Sequence, residues 1–207
     1  MIDKMYKNQF VRLLTKAIRD AEKVVIEKYN SKTVQEEEDI TTRLAAEIES
    51  HLNNHKYEGV MITAKVFTRK GRNSEEKITG ADLGVILNIN NGQIQKAFLS
   101  QAKKGQYNNG NIKLDRNKLD IQCKKMLNIS SDSFIFIYTS RGIFVVPAFN
   151  YRNTYLNHKN LGNFFFDFLT CFIGDHKIID FVKRPEYLLE YANHVLYLQI
   201  ESLENEW

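Results

Sequence analysis

A chain of 207 residues is long enough to bury one sizeable core, and a single domain is the expectation at this length. Its two cysteines, Cys123 and Cys171, form no C-x-x-C and no Cys/His cluster, which argues against a zinc site or a disulfide scaffold. The net charge of +4 is unevenly spread: residues 60–125 hold 13 Lys/Arg against 5 Asp/Glu, and the rest holds 16 against 20, so the middle of the chain is a basic region suited to a phosphate backbone or, in the plainer alternative, to a solvated surface.

The start, MIDKMYKNQF, lacks an apolar signal core, and no apolar run approaches the ~18–20 residues of a membrane span, so a cytoplasmic protein without a membrane partner is expected. Phe10, Leu14, Ala17, Ile18, Ala21 and Val25 repeat at helical spacing and predict a helix over 8–29. A second helix, about 36–53, follows from Ile40, Leu44, Ile48 and Leu52, which form one stripe. Glu37 extends that stripe by a turn, and Glu36 borders it; these acids also complement a helix N-terminus. Residues 60–67, VMITAKVF, are β-branched and strand-like. The charged connection RKGRNSEEK, 69–77, could reach a bound duplex through Arg69, Lys70, Arg72 and Lys77, or be an ordinary loop.

A hairpin is predicted over 81–104, where two apolar runs flank Asn91-Gly92. With those two as the loop, paired positions sum to 183, and Asp82 lies opposite Gln101 at roughly 5 Å between Cβ atoms. Lys103, two residues on, points to the same face. A carboxylate and an amide oxygen there can hold a hard divalent cation, and a nearby ammonium can orient the attacking water or help deprotonate it. GQYNNGN, 105–111, reads as a loop, and 115–128 as a third helix with Leu119, Cys123, Met126 and Leu127 inward. Gln122 on that helix is a candidate for supporting the site or touching nucleic acid, and Lys104 is a candidate nucleic-acid contact. SFIFIY, 133–138, reads as a strand covered on both faces, and Ile143–Val146 as another ending at Pro147. Residues 161–174 predict a buried aromatic helix capped by Gly174. Residues 185–203 predict a last helix from Leu188, Leu189, Ala192, Leu196 and Ile200. His51 and His55, four apart without a third partner, read as helix surface, and Asp175-His176 as a cap or turn.

Asp82, eighteen intervening residues, then Gln101-Ala102-Lys103 resembles the D…(D/E)-x-K motif of the PD-(D/E)xK nuclease superfamily, and its glutamine variant is similar to that of Mrr-type restriction endonucleases. The resemblance spans about 35–148. Thr79-Gly80-Ala81 stands where the pattern has a proline, and Gln101 stands in place of an acid. The resemblance implies an α/β fold with a restriction endonuclease-like αβββαβ core, a mixed sheet flanked by helices. To this the residue pattern adds an extra N-terminal helix and a helical C-terminal extension over about 150–207. It further implies a helix glutamate at the metal, with Glu37 the best placed and Glu36 and Glu38 as alternatives. Mg²⁺ or Mn²⁺ would be bound by Asp82, Glu37, the Gln101 side-chain oxygen and the Ala102 carbonyl, with Lys103 catalytic. The expected activity is that of a metal-dependent endonuclease acting on double-stranded DNA, in restriction or anti-phage defence. A homodimer would cut both strands, with a partner subunit for recognition or activation. The alternatives are a nucleic-acid-binding module with an inactive site and an RNA-directed toxin or defence nuclease.

Overall fold

The computed structural model describes residues 4–53, 60–68, 79–108, 111–114, 116, 118–152, 158–170, 173–175 and 184–202. Two amphipathic helices open it. Helix α1, Lys4–Asn30, buries Leu14, Ala17, Ile18, Ala21 and Val25, the positions its period selects. Helix α2, Glu37–Asn53, buries Ile40, Leu44, Ile48 and Leu52, the stripe expected of it. Both pack on one face of a mixed, eight-stranded sheet.

The strands are β1 Val60–Thr68, β2 Ala81–Ile89, β3 Ile94–Asn108, β4 Asn111–Leu114, β5 Ser133–Thr139, β6 Gly142–Pro147, β7 Lys159–Asn160 and β8 Ala192–Ser202. Their order across the sheet is β1-β8-β2-β3-β5-β6-β7, with β4 paired to β3 alone. Strands β2 and β3 are antiparallel. Strands β3 and β5 are parallel, joined by a crossover that contains helix α3, Leu119–Ile129. Side chains alternate between two apolar layers. Leu83, Val85, Phe98, Phe134, Phe136 and Leu196 belong to the layer with α1 and α2. Ile86, Ala97, Leu99, Ile135, Ile137 and Val195 belong to the layer with α3. Helix α4, Leu161–Leu169, joins the first layer: Phe164, Phe165 and Phe168 meet the Phe98 ring at 5.0, 6.0 and 4.9 Å, edge to face. Fully burying each such ring contributes about 1.5–3 kcal/mol.

Strand β1 lies at the edge of the sheet, and α2 covers part of its outer backbone. The Asn53 carboxamide both donates to Ala64 O and accepts from Ala64 N, each at 2.8 Å, and Glu49 Oε1 accepts from Val66 N at 2.9 Å. These contacts blunt an otherwise open strand edge and fix the helix whose first turn carries Glu37. Among the described residues no helix is long and apolar enough to cross a membrane.

Several expectations are corrected. The C-terminal extension holds helix α4, but 185–202 is not a helix: a short 3₁₀ turn, Pro185–Glu190, leads into β8, which lies between β1 and β2, antiparallel to the first and parallel to the second. The four-residue spacing of its apolar residues suits a helix. VLYLQI is also a near-continuous apolar run, as a strand covered on both faces requires, and sheet burial decided between them. Residues 105–111 are not one loop, because β3 runs on to Asn108 and pairs with β4. Helix α3 begins at Leu119, after Lys118 in a left-handed conformation, instead of at 115. Helix α4 ends at Leu169 with Thr170 as its cap, so Gly174 does not cap it. The β2–β3 connection is a four-residue turn, 90–93, closed by the Gln93 N–H on Asn90 O, instead of a two-residue loop.

Candidate active site

The candidate site lies where β2 ends beside β3. Their ladder runs from Ile89↔Ile94 to Leu83↔Ser100. Every pair keeps the 183 sum, because extending the turn by one residue at each end leaves the register unchanged. One step further the backbone ladder gives way to side chains. Asp82 Oδ2 accepts the Ala102 N–H at 2.9 Å and an amide N–H of Gln101. The next N–H on that edge of β3, from Lys104, goes to Glu37 Oε1 at 2.9 Å. Two carboxylates therefore occupy successive backbone donors that a longer β2 would have taken. Residues two apart on a strand place those donors ~6.8 Å from one another.

Glu37 comes from the first turn of α2, whose acids Glu37, Glu38 and Asp39 suit the positive end of the helix dipole. That turn is anchored from below: Thr41 Oγ1 donates to Glu37 O at 2.7 Å and meets Tyr138 Oη of β5 at 3.1 Å. Burial pushes the Tyr138 phenol well above its ordinary range, so it stays neutral. The other carboxylate oxygen of Glu37 receives Lys103 Nζ at 3.0 Å, and Lys104 Nζ stands 3.7 Å from Glu36. Asp82, Gln101 and Lys103 are 5, 3 and 9% exposed, so the centre is largely dry and its charge–dipole contacts are strong.

Gln101 decides whether the residues fit a cation. Its Nε2 faces two acceptors, Asp82 Oδ2 and, at 3.1 Å, Ala102 O. A flipped amide would set oxygen against oxygen, so this orientation is chemically imposed. As a result Gln101 Oε1 is buried with no hydrogen-bond partner among the described residues. Such an orphan costs about 1–3 kcal/mol, and a hard cation is one group that satisfies it. Two carboxylates and a carboxamide oxygen fit the donor chemistry of Mg²⁺ or Mn²⁺. Among the described residues no three His, Cys, Asp or Glu side chains gather into a cation site.

Three further residues shape the centre. Gly80 lets the start of β2 approach α3: a Cβ there would lie 2.6 Å from Gln122 Cγ. Gln122 itself is half-buried, its Oε1 lacking a partner among the described residues. Cys123, next to it, faces inward, and burial pushes its thiol up to about 12, which leaves it inert at neutral pH. Asn193 of β8 lies beside Asp82, with Nδ2 3.5 Å from Oδ1; the helical spacing of apolar residues in its segment hides it from the sequence. Recognising VLYLQI as a two-sided strand is the signal that would have found it. Thr79 Oγ1 ties the β2 start to the backbone of Tyr191, just before β8.

The structure thus brings Asp82, Gln101, Ala102, Lys103, Lys104 and Glu37 together, with Gln122 against the β2 start. Arg69, Lys70, Arg72 and Lys77 lie outside the described residues, as do Cys171, His55 and His176. Asp175 is buried and accepts from Ser130 Oγ at 3.0 Å, a turn-holding contact. No family model, no curated protein and no solved structure matches this chain.

Proposed function

We propose that this chain is a metal-dependent nuclease with a restriction endonuclease-like core, hydrolysing phosphodiester bonds in DNA. The observation that carries the reading is the parting of β2 and β3, where Asp82 and Glu37 take the Ala102 and Lys104 N–H groups and Gln101, beside Ala102, keeps a buried oxygen without a partner among the described residues. The order α2, β1, β2, β3, α3, β5, with β3 and β5 parallel, supports the core, and β8 between β1 and β2 is an elaboration of it. The basic middle of the chain supports a polyanionic substrate.

Asp82, Glu37, Gln101 Oε1 and the Ala102 carbonyl would hold a divalent cation, which would supply Lewis-acid charge for the scissile phosphate and for the attacking water. The chain's own groups do the rest. Asp82 is held by the Ala102 N–H and the Gln101 amide, so it is presented without reorganisation. Lys103 pairs with Glu37 at 3.0 Å, and beside a bound phosphate its ammonium would orient the attacking water and meet the negative charge growing on the phosphate. Cutting both strands of a duplex requires two such centres, hence a homodimer.

Plasmid nicking and RNA cleavage with Mg²⁺, Mn²⁺ or EDTA test the reading. Wild type should nick DNA only with the metals. Lys103→Met, which keeps alkyl volume and loses the ammonium, should bind DNA normally and cut roughly a hundredfold or more slowly in single turnover. Wild-type cutting by Lys103→Met at saturating enzyme would reduce Lys103 to a phosphate contact. One observation favours a second reading, a nucleic-acid-binding module without turnover: both oxygens of Glu37 are already engaged by Lys103 and Lys104. Metal-independent DNA binding with no nicking under any condition would select it.

A further inference from the structure

Strand β3 continues past the candidate site. Its pairing with β5 ends at Lys104↔Tyr138, and among the described residues Gly105–Asn108 pair with β4 alone. The result is a two-stranded ribbon that starts one residue after Lys104. Its register is Gly105↔Leu114, Gln106↔Lys113, Tyr107↔Ile112 and Asn108↔Asn111. Cross-strand partners share a face, so Gln106, Asn108, Asn111 and Lys113 lie on one side.

The opposite side is docked. Ile112 is buried, and Tyr107 stacks on Phe144 at 5.1 Å, with the Arg141 guanidinium 5.2 Å from the Tyr107 ring. Gly105 lets the ribbon approach β5: a Cβ there would meet Ile137 Cγ2 at 2.5 Å. The ribbon is therefore anchored, and its other side is fixed in orientation relative to Lys104, which belongs to the same alternating set as Gln106 and Asn108. That side holds three carboxamides and an ammonium, with Gln106, Asn108 and Lys113 exposed. No described ribbon residue is acidic. A merely solvated strand face favours threonine and β-branched residues, whereas Asn is disfavoured in strands. Gln106 and Lys113 stand opposite each other on this side, next to the last described pair, Asn108 and Asn111.

We infer that this ribbon face is the surface by which the chain engages double-stranded DNA, lying in the major groove beside the scissile phosphate. The major groove, about 12 Å wide, admits a two-stranded ribbon, and carboxamides and lysine are the groups that pair with adenine and guanine edges there. Lys104 and Lys113 supply charge complementarity to the flanking phosphates. The inference rests on the nuclease reading for the position of the scissile bond, and its test is separable from that reading.

Fluorescence anisotropy of the full chain in EDTA, with a labelled mixed-sequence duplex and with one of its single strands, measures binding without cleavage. The triple variant Gln106→Ala/Asn108→Ala/Lys113→Ala should lose roughly tenfold or more in duplex affinity. Lys113→Ala alone should lower the slope of log affinity against log salt by about one. Lys16→Ala, an exposed charge-matched control on α1, should change neither, and all variants should keep the wild-type melting temperature. Wild-type duplex affinity in the triple variant overturns the inference, and so does an equal loss on the single strand, which would assign the face to unpaired nucleic acid. Nicking measured in parallel separates the two claims. Mn²⁺-dependent nicking with ribbon-independent binding removes the ribbon alone. Ribbon-dependent duplex binding with no nicking removes the nuclease reading and sustains the ribbon.

Discussion

Gln101 holds its amide nitrogen between two acceptors and leaves its oxygen buried without a partner among the described residues. Replacing it with Glu places a second carboxylate against Asp82, with no proton or cation between them. Gln101→Glu should therefore lose about 1–3 kcal/mol of stability in EDTA, the scale of leaving a buried polar group unsatisfied. Mn²⁺ should raise its melting temperature by more than it raises that of wild type, because a cation that binds only the folded form stabilises by mass action. Thermal melts with EDTA and with Mn²⁺ check this; an equal Mn²⁺ response in both proteins would mean the side chain does not face the ion. At this scale the sequence was informative wherever alternation and a turn sufficed. Asp82, Gln101 and Lys103 share a face by the period of a strand, and the Asn-Gly signal set their register. Asn193 was hidden, because its neighbour to Asp82 depends on a pairing between segments more than a hundred residues apart, which no local pattern encodes.

Among the elements, α2 was the most legible, since a stripe of four aliphatic residues and an acidic first turn define both its buried face and its start. Strand β8 was the least, because an apolar run with i, i+4 spacing fits a helix and a two-sided strand alike, and only the vacancy between β1 and β2 distinguishes them. The long α1 is tied to the β5–β6 turn by Glu22, whose Oε1 accepts the Ile143 N–H at 2.7 Å. Burial pushes that carboxyl above its ordinary 4.5, while the Ile143 bond and Arg19 oppose the rise. The folded chain then binds more protons than the unfolded chain at pH values just above 4.5, so stability falls as pH rises through the folded value. Glu22→Gln keeps an acceptor for Ile143 and removes the buried charge. It should melt ~1–3 °C higher than wild type near pH 7, with the gain vanishing toward pH 4. Melting curves across that range decide it, and a variant less stable at every pH would show that the charge itself holds the turn.

At the scale of the whole molecule, helices cover both faces of the sheet, and the candidate centre sits at one end, where two strands part and α2 and α3 approach from opposite layers. Parting is what frees backbone donors for Asp82 and Glu37, and the same geometry lets β3 continue as a ribbon beyond them. The basic middle segment, 60–125, includes Lys103 and Lys104 of this end. The most direct measurement is a calorimetric Mn²⁺ titration of wild type and Asp82→Asn, a substitution that retains an acceptor for the Ala102 N–H while removing the charge. Wild type should bind the ion at one site per chain, and Asp82→Asn should bind it at least tenfold more weakly with its fold intact. Equal Mn²⁺ affinity in the two proteins, or no binding by either, would contradict a metal centre at this position.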